Sequence, residues 1–355
     1  MDDGRDTIAG RLRWQAGWCE RLGSPLYAAI LKGTAADIER GGAAWRLLEG
    51  REREPAGGFL QLRLLGAVHR LVLMGRIPEL AAVYPSVGGE ADLDRAPALF
   101  LAALATHADE VREHLDRPVQ TNEVARCAGL VGGFLTIARE TGLHLSLLEV
   151  GASAGLNLRF DRYRYVSGDW AWGDAGSRVR FEDVFADAVP PLHPLEVAAR
   201  RGCDRNPLDP RTEEDRLTLM SFVWPDQTRR FGVLRSALEI AAHDDVRVEK
   251  AGAAEWAEEM LATPRPGLAT VIYHSVVVSY LSAEEGSRLH GAITAAGAAA
   301  TPDAPVAWLF LEPGEEETDV RLTLWPGGEQ RLLARAGFQS SAVRWLGQPG
   351  LHASA

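Results

Sequence analysis

The sequence predicts an α/β protein in which an all-helical amino-terminal domain precedes a mostly parallel sheet, extended by an antiparallel hairpin at its carboxyl-terminal end. Three observations predict this class. Apolar residues recur at helical spacing through the first 140 residues. Short apolar stretches then alternate with helical ones from residue 143 onwards. A glycine-rich turn directly follows the first of these apolar stretches.

The helical domain is predicted over residues 1–141. Leucine and valine recur every three or four positions over 60–72, and alternating β-branched runs are missing from this part of the sequence. The last helix is predicted over 122–139. Thr121 would be its N-cap, and Glu123 would lie in the first turn, where a carboxylate complements the helix dipole.

The second predicted domain covers residues 142–355. Its first strand, over 143–150, is short and apolar and is followed at once by Gly151, as is typical of a buried parallel strand. Later strands are predicted over 196–203, 246–250, 269–273 and 306–311, and helices over 216–242, 254–262 and 283–300. This alternation predicts a parallel sheet with helices on both faces.

Two segments depart from that alternation. Apolar and polar residues alternate over 320–324, and a turn with Pro326 and two glycines follows. Further extended chain is predicted over 329–334 and 342–346, so we expect an antiparallel hairpin here. Residues 164–195 are rich in tryptophan and proline and show no clear period. We interpret this second segment as an insertion that covers part of the domain.

Composition and charge narrow the class of partner. The chain has 38 Lys and Arg against 49 Asp and Glu, a net charge of −11, which argues against nucleic acid or an anionic membrane as the main partner. No apolar run approaches the ~18 residues that cross a bilayer. The polar start lacks the features of a secretory signal, and Cys19, Cys127 and Cys203 form no close pair. We expect a soluble, cytoplasmic protein that acts on a small molecule. Its oligomeric state stays open.

The glycine-rich turn, Glu-Val-Gly-Ala-Ser-Ala-Gly-Leu-Asn over 149–157, is the most informative motif. Glycine between a strand and a helix lets the backbone approach a ligand closely, and a helix N-terminus favours negative or electron-rich groups. One interpretation is a binding turn for an adenosyl-type cofactor. The residues expected to contact such a cofactor are Glu149, Gly151, Ser153, Gly155 and Asn157.

Two other interpretations of the turn stay open. Gly-x-Ser-x-Gly is also the nucleophile elbow of α/β-hydrolases, in which Ser153 would attack an acyl carbon. That elbow normally follows several strands, whereas the residues upstream of this turn are predicted to be helical. The third interpretation is a purely structural turn that packs a helix on a strand. No metal-ligand spacing occurs, so we expect no metal.

Further candidates lie where the predicted strands end. Asp204 follows the second strand, where a carboxylate can accept hydrogen bonds from ribose hydroxyls, and Asp169 and Asp174 are alternatives. His274 and Ser275 follow the fourth strand, and a histidine there could act as a general base. Glu312, after the fifth strand, is a candidate for substrate binding.

The polar run over 120–123 precedes the last predicted helix of the first domain. A helix cap explains Thr121 alone, so we expect this run to face the cleft between the domains. Gln120, Thr121 and Asn122 are then candidates for substrate binding, and Glu123 joins the candidates for catalysis.

These motifs belong to an ordered set that covers nearly the whole chain. The set comprises residues 23–27, 69–73, 120–124, 149–158, 204–209, 223–227, 273–275 and 306–309. On these residues the sequence resembles the bacterial domain of unknown function 2332 family, whose carboxyl half is grouped with class I methyltransferases. The resemblance implies a Rossmann-like sheet, S-adenosylmethionine as cofactor, and methyl transfer to a small molecule.

One departure from the family pattern favours an alternative. Residues 251–254 read Ala-Gly-Ala-Ala where the family has Gly-Asp-Ala, so a carboxylate is missing after the third strand. This departure favours a cofactor-free enzyme or binding protein on the same fold, a protein of another class. Binding of adenosylhomocysteine discriminates between the two.

Overall fold

Residues 4–143 form helices and loops without a strand in the computed structural model, which describes residues 4–337 and 342–347. The α-helices of this part are α1 (Gly4–Arg21), α2 (Pro25–Glu39), α3 (Ala43–Leu48), α4 (Leu60–Leu73), α5 (Pro78–Ala81), α6 (Ala96–Thr106), α7 (Ala108–Leu115) and α8 (Arg126–Thr141). The predicted helical amino-terminal part is therefore confirmed.

Strands and helices alternate after α8. In chain order they are β1 (His144–Val150), β2 (Arg164–Ser167), β3 (Trp170–Gly173), β4 (Arg180–Phe181), β5 (Val197–Asp204), α9 (Glu213–Ser221), α10 (Thr228–Ala241), β6 (Val248–Lys250), α11 (Ala253–Leu261), β7 (Leu268–Ser275), α12 (Ala283–Ala298), β8 (Val306–Pro313), β9 (Thr318–Trp325), β10 (Gln330–Ala336) and β11 (Val343–Trp345).

One sheet of eight strands has the order β11-β10-β9-β8-β7-β1-β5-β6. The strands β8, β7, β1, β5 and β6 are parallel. The strands β9, β10 and β11 continue the sheet beside β8 as an antiparallel meander. The mostly parallel sheet and its antiparallel extension are therefore confirmed, and the order of the parallel strands reverses between β1 and β7.

Helices cover both faces of this sheet. On one face Leu148 and Val150 of β1 share a core cluster with Trp256 of α11 and Ile293 of α12. On the other face α8 packs closely, since a Cβ atom built on its Gly133 would lie 2.4 Å from a methyl group of Leu309 in β8. Side chains alternate between the faces of a strand, so β1 contributes to both layers.

The chain divides into two compact units, and α8 belongs to the second. Unit 1 comprises the described residues of Met1–Thr121 and Thr212–Arg235, and unit 2 those of Asn122–Arg211 and Ser236–Ala355. The sequence predicts the boundary after residue 141 because α8 resembles the helices before it. The packing of α8 on the sheet explains the difference.

The return of Thr212–Arg235 to unit 1 depends on polar side chains. The Asp226 carboxylate accepts hydrogen bonds from the Ser24 hydroxyl and the Leu26 backbone N–H, and Gln227 donates to the Leu22 carbonyl at 2.8 Å. The residues over 23–27 and 223–227 that carry the family resemblance thus join two distant parts of unit 1.

Three predicted elements differ from the observed ones. The helix predicted over 216–242 is interrupted by a turn between α9 and α10, where Pro225 removes a backbone donor. The turn after β1 leads into a short 3-10 helix, Asn157–Arg162, and not into an α-helix. The insertion predicted over 164–195 forms the small sheet β3-β2-β4, which with the 3-10 helix connects β1 to β5. Among the described residues, no helix is long and apolar enough to span a bilayer.

Candidate functional site

The register of the parallel strands places four predicted site residues along one edge of the sheet. Val150 is level with Cys203 of β5 and with His274 of β7. The next residues along each strand, Gly151, Asp204 and Ser275, therefore lie side by side at the carboxyl edge. Glu312 follows at the end of β8, where Leu311 is level with Ser275.

Gly151 occupies the point of this edge at which the strand order reverses. Its φ of +71° is strained for a side chain, and its backbone is exposed. A Cβ atom at Gly151 would lie 2.5 Å from Cγ2 of Val277. The position therefore requires glycine both for its backbone conformation and for the approach of Val277.

The backbone N–H groups of the turn are already hydrogen-bonded within unit 2. Asp204 Oδ2 accepts from Ser153 N at 2.9 Å. Asn122 Oδ1 accepts from Ala154 N at 3.2 Å and from Leu156 N at 3.0 Å. Because these donors are used and the helix that follows is a short 3-10 helix, the anion-binding helix N-terminus expected from the sequence is absent from this turn.

The structure brings Asp204 directly against the glycine-rich turn. Its second oxygen, Oδ1, accepts from Asn206 N at 2.8 Å, and the carboxylate is half-buried. A carboxylate offers about four acceptor positions, of which these two N–H groups use two. Within residues 4–337 and 342–347, two positions therefore remain at the edge of the sheet. Asp169 and Asp174 instead lie in the small-sheet region and not on this edge.

Glu149 lies buried beneath the turn and faces α8. Burial raises its pKa to about 8, against lowering contributions from hydrogen bonds with Tyr273 and Asn157 and from the charge of Arg126. The Tyr273 hydroxyl donates to Glu149 Oε2 at 3.2 Å, and the Cys127 thiol donates to Asn157 Oδ1 at 3.2 Å. Glu149 and Asn157 thus form a polar cluster that supports the turn from below.

The raised pKa of Glu149 predicts a pH dependence of stability. The folded protein holds a proton on Glu149 that the unfolded chain releases near its ordinary pKa of 4.5, so this contribution to stability is lost as the pH rises from about 4.5 to about 8. The Glu149→Gln variant lacks that titration. As the pH rises from about 4.5 to about 8, we expect the unfolding free energy of Glu149→Gln to increase relative to that of the parent, by up to about 1.4 kcal/mol per pH unit.

Chemical denaturation of both proteins at pH 5, 6, 7 and 8 measures this difference. Tyr273→Phe, which keeps the Glu149 carboxyl but removes one hydrogen-bond donor, is the matched control and should retain the parent's pH slope. Parallel pH curves for Glu149→Gln and the parent would show that Glu149 is ionised in the folded protein.

His274 and Glu312 form a buried pair. The His274 ring accepts at Nε2 from Trp308 Nε1–H at 3.1 Å, which places the proton on Nδ1, and Nδ1 donates to Glu312 Oε1 at 2.7 Å. The same oxygen accepts from Val277 N at 2.9 Å. Both ring nitrogens are therefore occupied, so proton transfer by His274 would require one of these bonds to break.

The polar run over 120–123 is divided between the two units. Gln120 and Thr121 belong to unit 1, and their predicted contact with substrate stays a prediction. The prediction that Thr121 caps a helix from residue 122 is wrong, because α8 begins at Arg126 and Asn122 directs its side chain to the turn after β1. Glu123 Oε1 accepts from Ala125 N at 3.4 Å, within the loop before α8.

Sequence reasoning missed Arg126 and Val277. Arg126 Nη1 donates to the Ser275 carbonyl at 2.8 Å, so the segment from Asn122 to Arg126 contacts the edge at both β1 and β7. The sequence offers no signal for either contact, because both residues lie at the junction of a loop with a helix or strand. Within 4–337 and 342–347, no group of three or more His, Cys, Asp or Glu could hold a metal ion.

Comparison with known proteins identifies the family. The family model described as an uncharacterized protein conserved in bacteria (DUF2332) matches residues 9–345. Neither the curated proteins nor the solved structures give a match. Because the family match runs from α1 to β11, the chain belongs to this bacterial family, DUF2332.

Proposed function

We propose that the protein transfers a methyl group from S-adenosylmethionine to a small molecule in the cytoplasm. The observation that carries the proposal is the Asp204 carboxylate, held against the glycine-rich turn by Ser153 N at 2.9 Å, at the point where the strand order reverses.

The order of the parallel strands supports a nucleoside site at this point. Numbered along the chain from β1, the parallel strands have the spatial order 3-2-1-4-5. This is the order of doubly wound nucleotide-binding sheets, whose ligands bind outside the carboxyl ends of the strands where the order reverses. Gly151 and Ser275 lie at that point, and Asp204 ends the adjoining strand.

The free acceptor positions of Asp204 suit a ribose. Ser153 N and Asn206 N occupy one position on each carboxylate oxygen. Each oxygen retains one further lone pair, so the two together can accept from the two neighbouring hydroxyls of a ribose. The exposed backbone of Gly151 beside them allows the ligand to approach closely.

The segment 251–254 contains no acid of its own, yet a carboxylate reaches it. Glu285 of α12 accepts from Ala253 N at 3.1 Å through Oε1, and its other oxygen pairs with Arg205. Glu285 therefore places a carboxylate beside the end of the third parallel strand, where it is paired with Arg205. The residues that fit an adenosyl group are those at the ends of the first two strands, Gly151 and Asp204.

When bound, the cofactor would supply an electrophilic methyl group. Asp204 would fix the ribose, and Gly151 would admit the ligand to the backbone. Ser275, at the end of β7, lies on the side of Gly151 opposite Asp204, where an acceptor would bind. With both His274 nitrogens occupied, the main contribution of the chain is to align the acceptor with the methyl group.

The Asp204→Asn variant tests this assignment. It loses the negative charge and one oxygen acceptor, so we expect adenosylhomocysteine to bind about ten- to a hundredfold more weakly. Calorimetric titration measures the affinity. Asp169→Asn is the matched control, since Asp169 is exposed in the turn between β2 and β3. Equal affinities of Asp204→Asn and the parent would remove Asp204 from the ligand site.

One observation favours a second candidate, a hydrolase with Ser153 as nucleophile. Ser153 has a φ of +54°, and a strained turn is what a nucleophile elbow requires. Ser153 is buried at 3% exposure, and residues 4–143 contain no strand before β1, which favours the methyltransferase. Stoichiometric labelling by a fluorophosphonate that is lost in Ser153→Gly would establish the hydrolase instead.

A further inference from the structure

The segment 276–281, here called the strap, follows β7 and lies across part of the glycine-rich turn. Cγ2 of Val277 lies 2.5 Å from where a Cβ atom of Gly151 would be. Val277 therefore occupies the space that any side chain, or any ligand approaching the Gly151 Cα atom from that direction, would need.

Glu312 fixes the strap to the end of β8. Its Oε1 accepts from Val277 N at 2.9 Å and from His274 Nδ1 at 2.7 Å, and Trp308 fixes the far side of the His274 ring. Glu312 is itself buried at 9% exposure, so these bonds are shielded from water. The Val276 N–H also donates to the Leu311 carbonyl of β8 at 2.9 Å, and Val277 and Leu281 pack against the hydrophobic cluster beside β1. The Glu312 oxygen is thus one of several contacts that join the strap to the sheet.

The strap is strained and carries exposed apolar side chains. Val276 has a φ of +53°, a conformation that is unfavourable for a β-branched residue. Val278 and Tyr280 are 53% and 60% exposed. Strain of this kind persists only where neighbouring contacts impose it. Here Val276 N donates to the Leu311 carbonyl at 2.9 Å, and Val277 N donates to Glu312 at 2.9 Å.

We propose that the strap is a gate over the ligand site at Gly151 and that Glu312 is a positioning residue that helps to hold the gate closed. Ligand binding displaces Val277 from Gly151, and the strained backbone at Val276 relaxes. The inference rests on the proposed function, which supplies both the ligand site at Gly151 and the probe, adenosylhomocysteine.

Hydrogen exchange in the ligand-free protein tests the role of Glu312. Glu312→Ala removes the acceptor of Val277 N, and we expect exchange within 276–281 to accelerate about tenfold or more. Glu312→Gln keeps an acceptor oxygen and should exchange like the parent. Unchanged exchange in a folded Glu312→Ala protein would overturn the role of Glu312.

Ligand binding tests the gate itself, with Val277→Ala as a second variant in case Glu312→Ala fails to fold. Val277→Ala leaves the bonds of Glu312 intact and widens the approach to the exposed backbone of Gly151, so we expect about tenfold faster association of adenosylhomocysteine. In the parent, the ligand should change exchange across 276–281. The gate proposal is overturned if adenosylhomocysteine binds but neither associates faster with Val277→Ala nor changes hydrogen exchange across 276–281 in the parent. Absence of binding in every protein overturns the proposed function, and the ligand-free comparison still decides whether Glu312 holds the strap.

Discussion

Gly151→Val is expected to reduce adenosylhomocysteine affinity at least about a hundredfold, the largest effect of any single substitution at the edge of the sheet. Valine is strongly disfavoured at the φ of +71° found there. Its Cβ atom would also lie 2.5 Å from Val277 Cγ2, so the turn or the strap must shift. Either shift disturbs the backbone surface that the ligand would contact. Calorimetric titration measures the loss.

Gly168→Val separates backbone strain from loss of the site. Gly168 has a φ of +56° and no neighbouring atom within 4 Å of a built Cβ atom. This control carries a similar strain, of about 1–3 kcal/mol, in the turn between β2 and β3. Both variants should lose thermal stability, and only Gly151→Val should lose the ligand. Parent-like affinity in Gly151→Val would mean that the ligand does not approach Gly151.

Asn122→Ala is expected to destabilise the protein by about 2–5 kcal/mol and to weaken ligand binding with it. The substitution leaves the N–H groups of Ala154 and Leu156 buried without the amide oxygen that accepts from both. Each such donor costs about 1–3 kcal/mol. Chemical denaturation gives the stability, and calorimetry at a temperature where both proteins are folded gives the affinity.

Asn122→Asp is the matched variant because it retains an oxygen of the same geometry. It should recover more than half of the lost stability. If the aspartate variant proved as unstable as the alanine variant, the two hydrogen bonds to the turn could not be the reason for the effect.

The sequence predicts β1, β7 and β8 well because each is a short, mostly apolar run closed by a polar or glycine residue. The strand β5 has Arg200 and Arg201 in its middle and is predicted from the alternation of strands and helices. Parallel strands necessarily bring their carboxyl ends, here at Gly151, Asp204 and Ser275, to one edge. The proximity of Asp204 to the turn could thus be predicted, even though 50 residues separate it from Ala154. In a parallel sheet, a residue at the end of one strand lies beside the residue at the end of the neighbouring strand.

Interactions decided by tertiary packing could not be predicted in this way. Nothing in the sequence indicates that Asn122 caps the turn after β1, because a polar residue before an apolar helix reads equally well as part of a helix cap. The orientation of the His274 ring depends on Trp308 and Glu312, which belong to another strand. The sequence therefore predicts which residues lie at the carboxyl edge of the sheet. Tertiary packing determines which of their side chains are already hydrogen-bonded to other residues.

Titration of the full chain with adenosylhomocysteine in a calorimeter tests the central claim most directly. We expect a saturable heat with one ligand bound per chain, because the edge at Gly151 and Asp204 provides one nucleoside site. The same titration should show weaker binding for Asp204→Asn. A folded parent protein that binds neither adenosylhomocysteine nor S-adenosylmethionine at millimolar concentration, about 4 kcal/mol of binding free energy, would contradict the methyltransferase account.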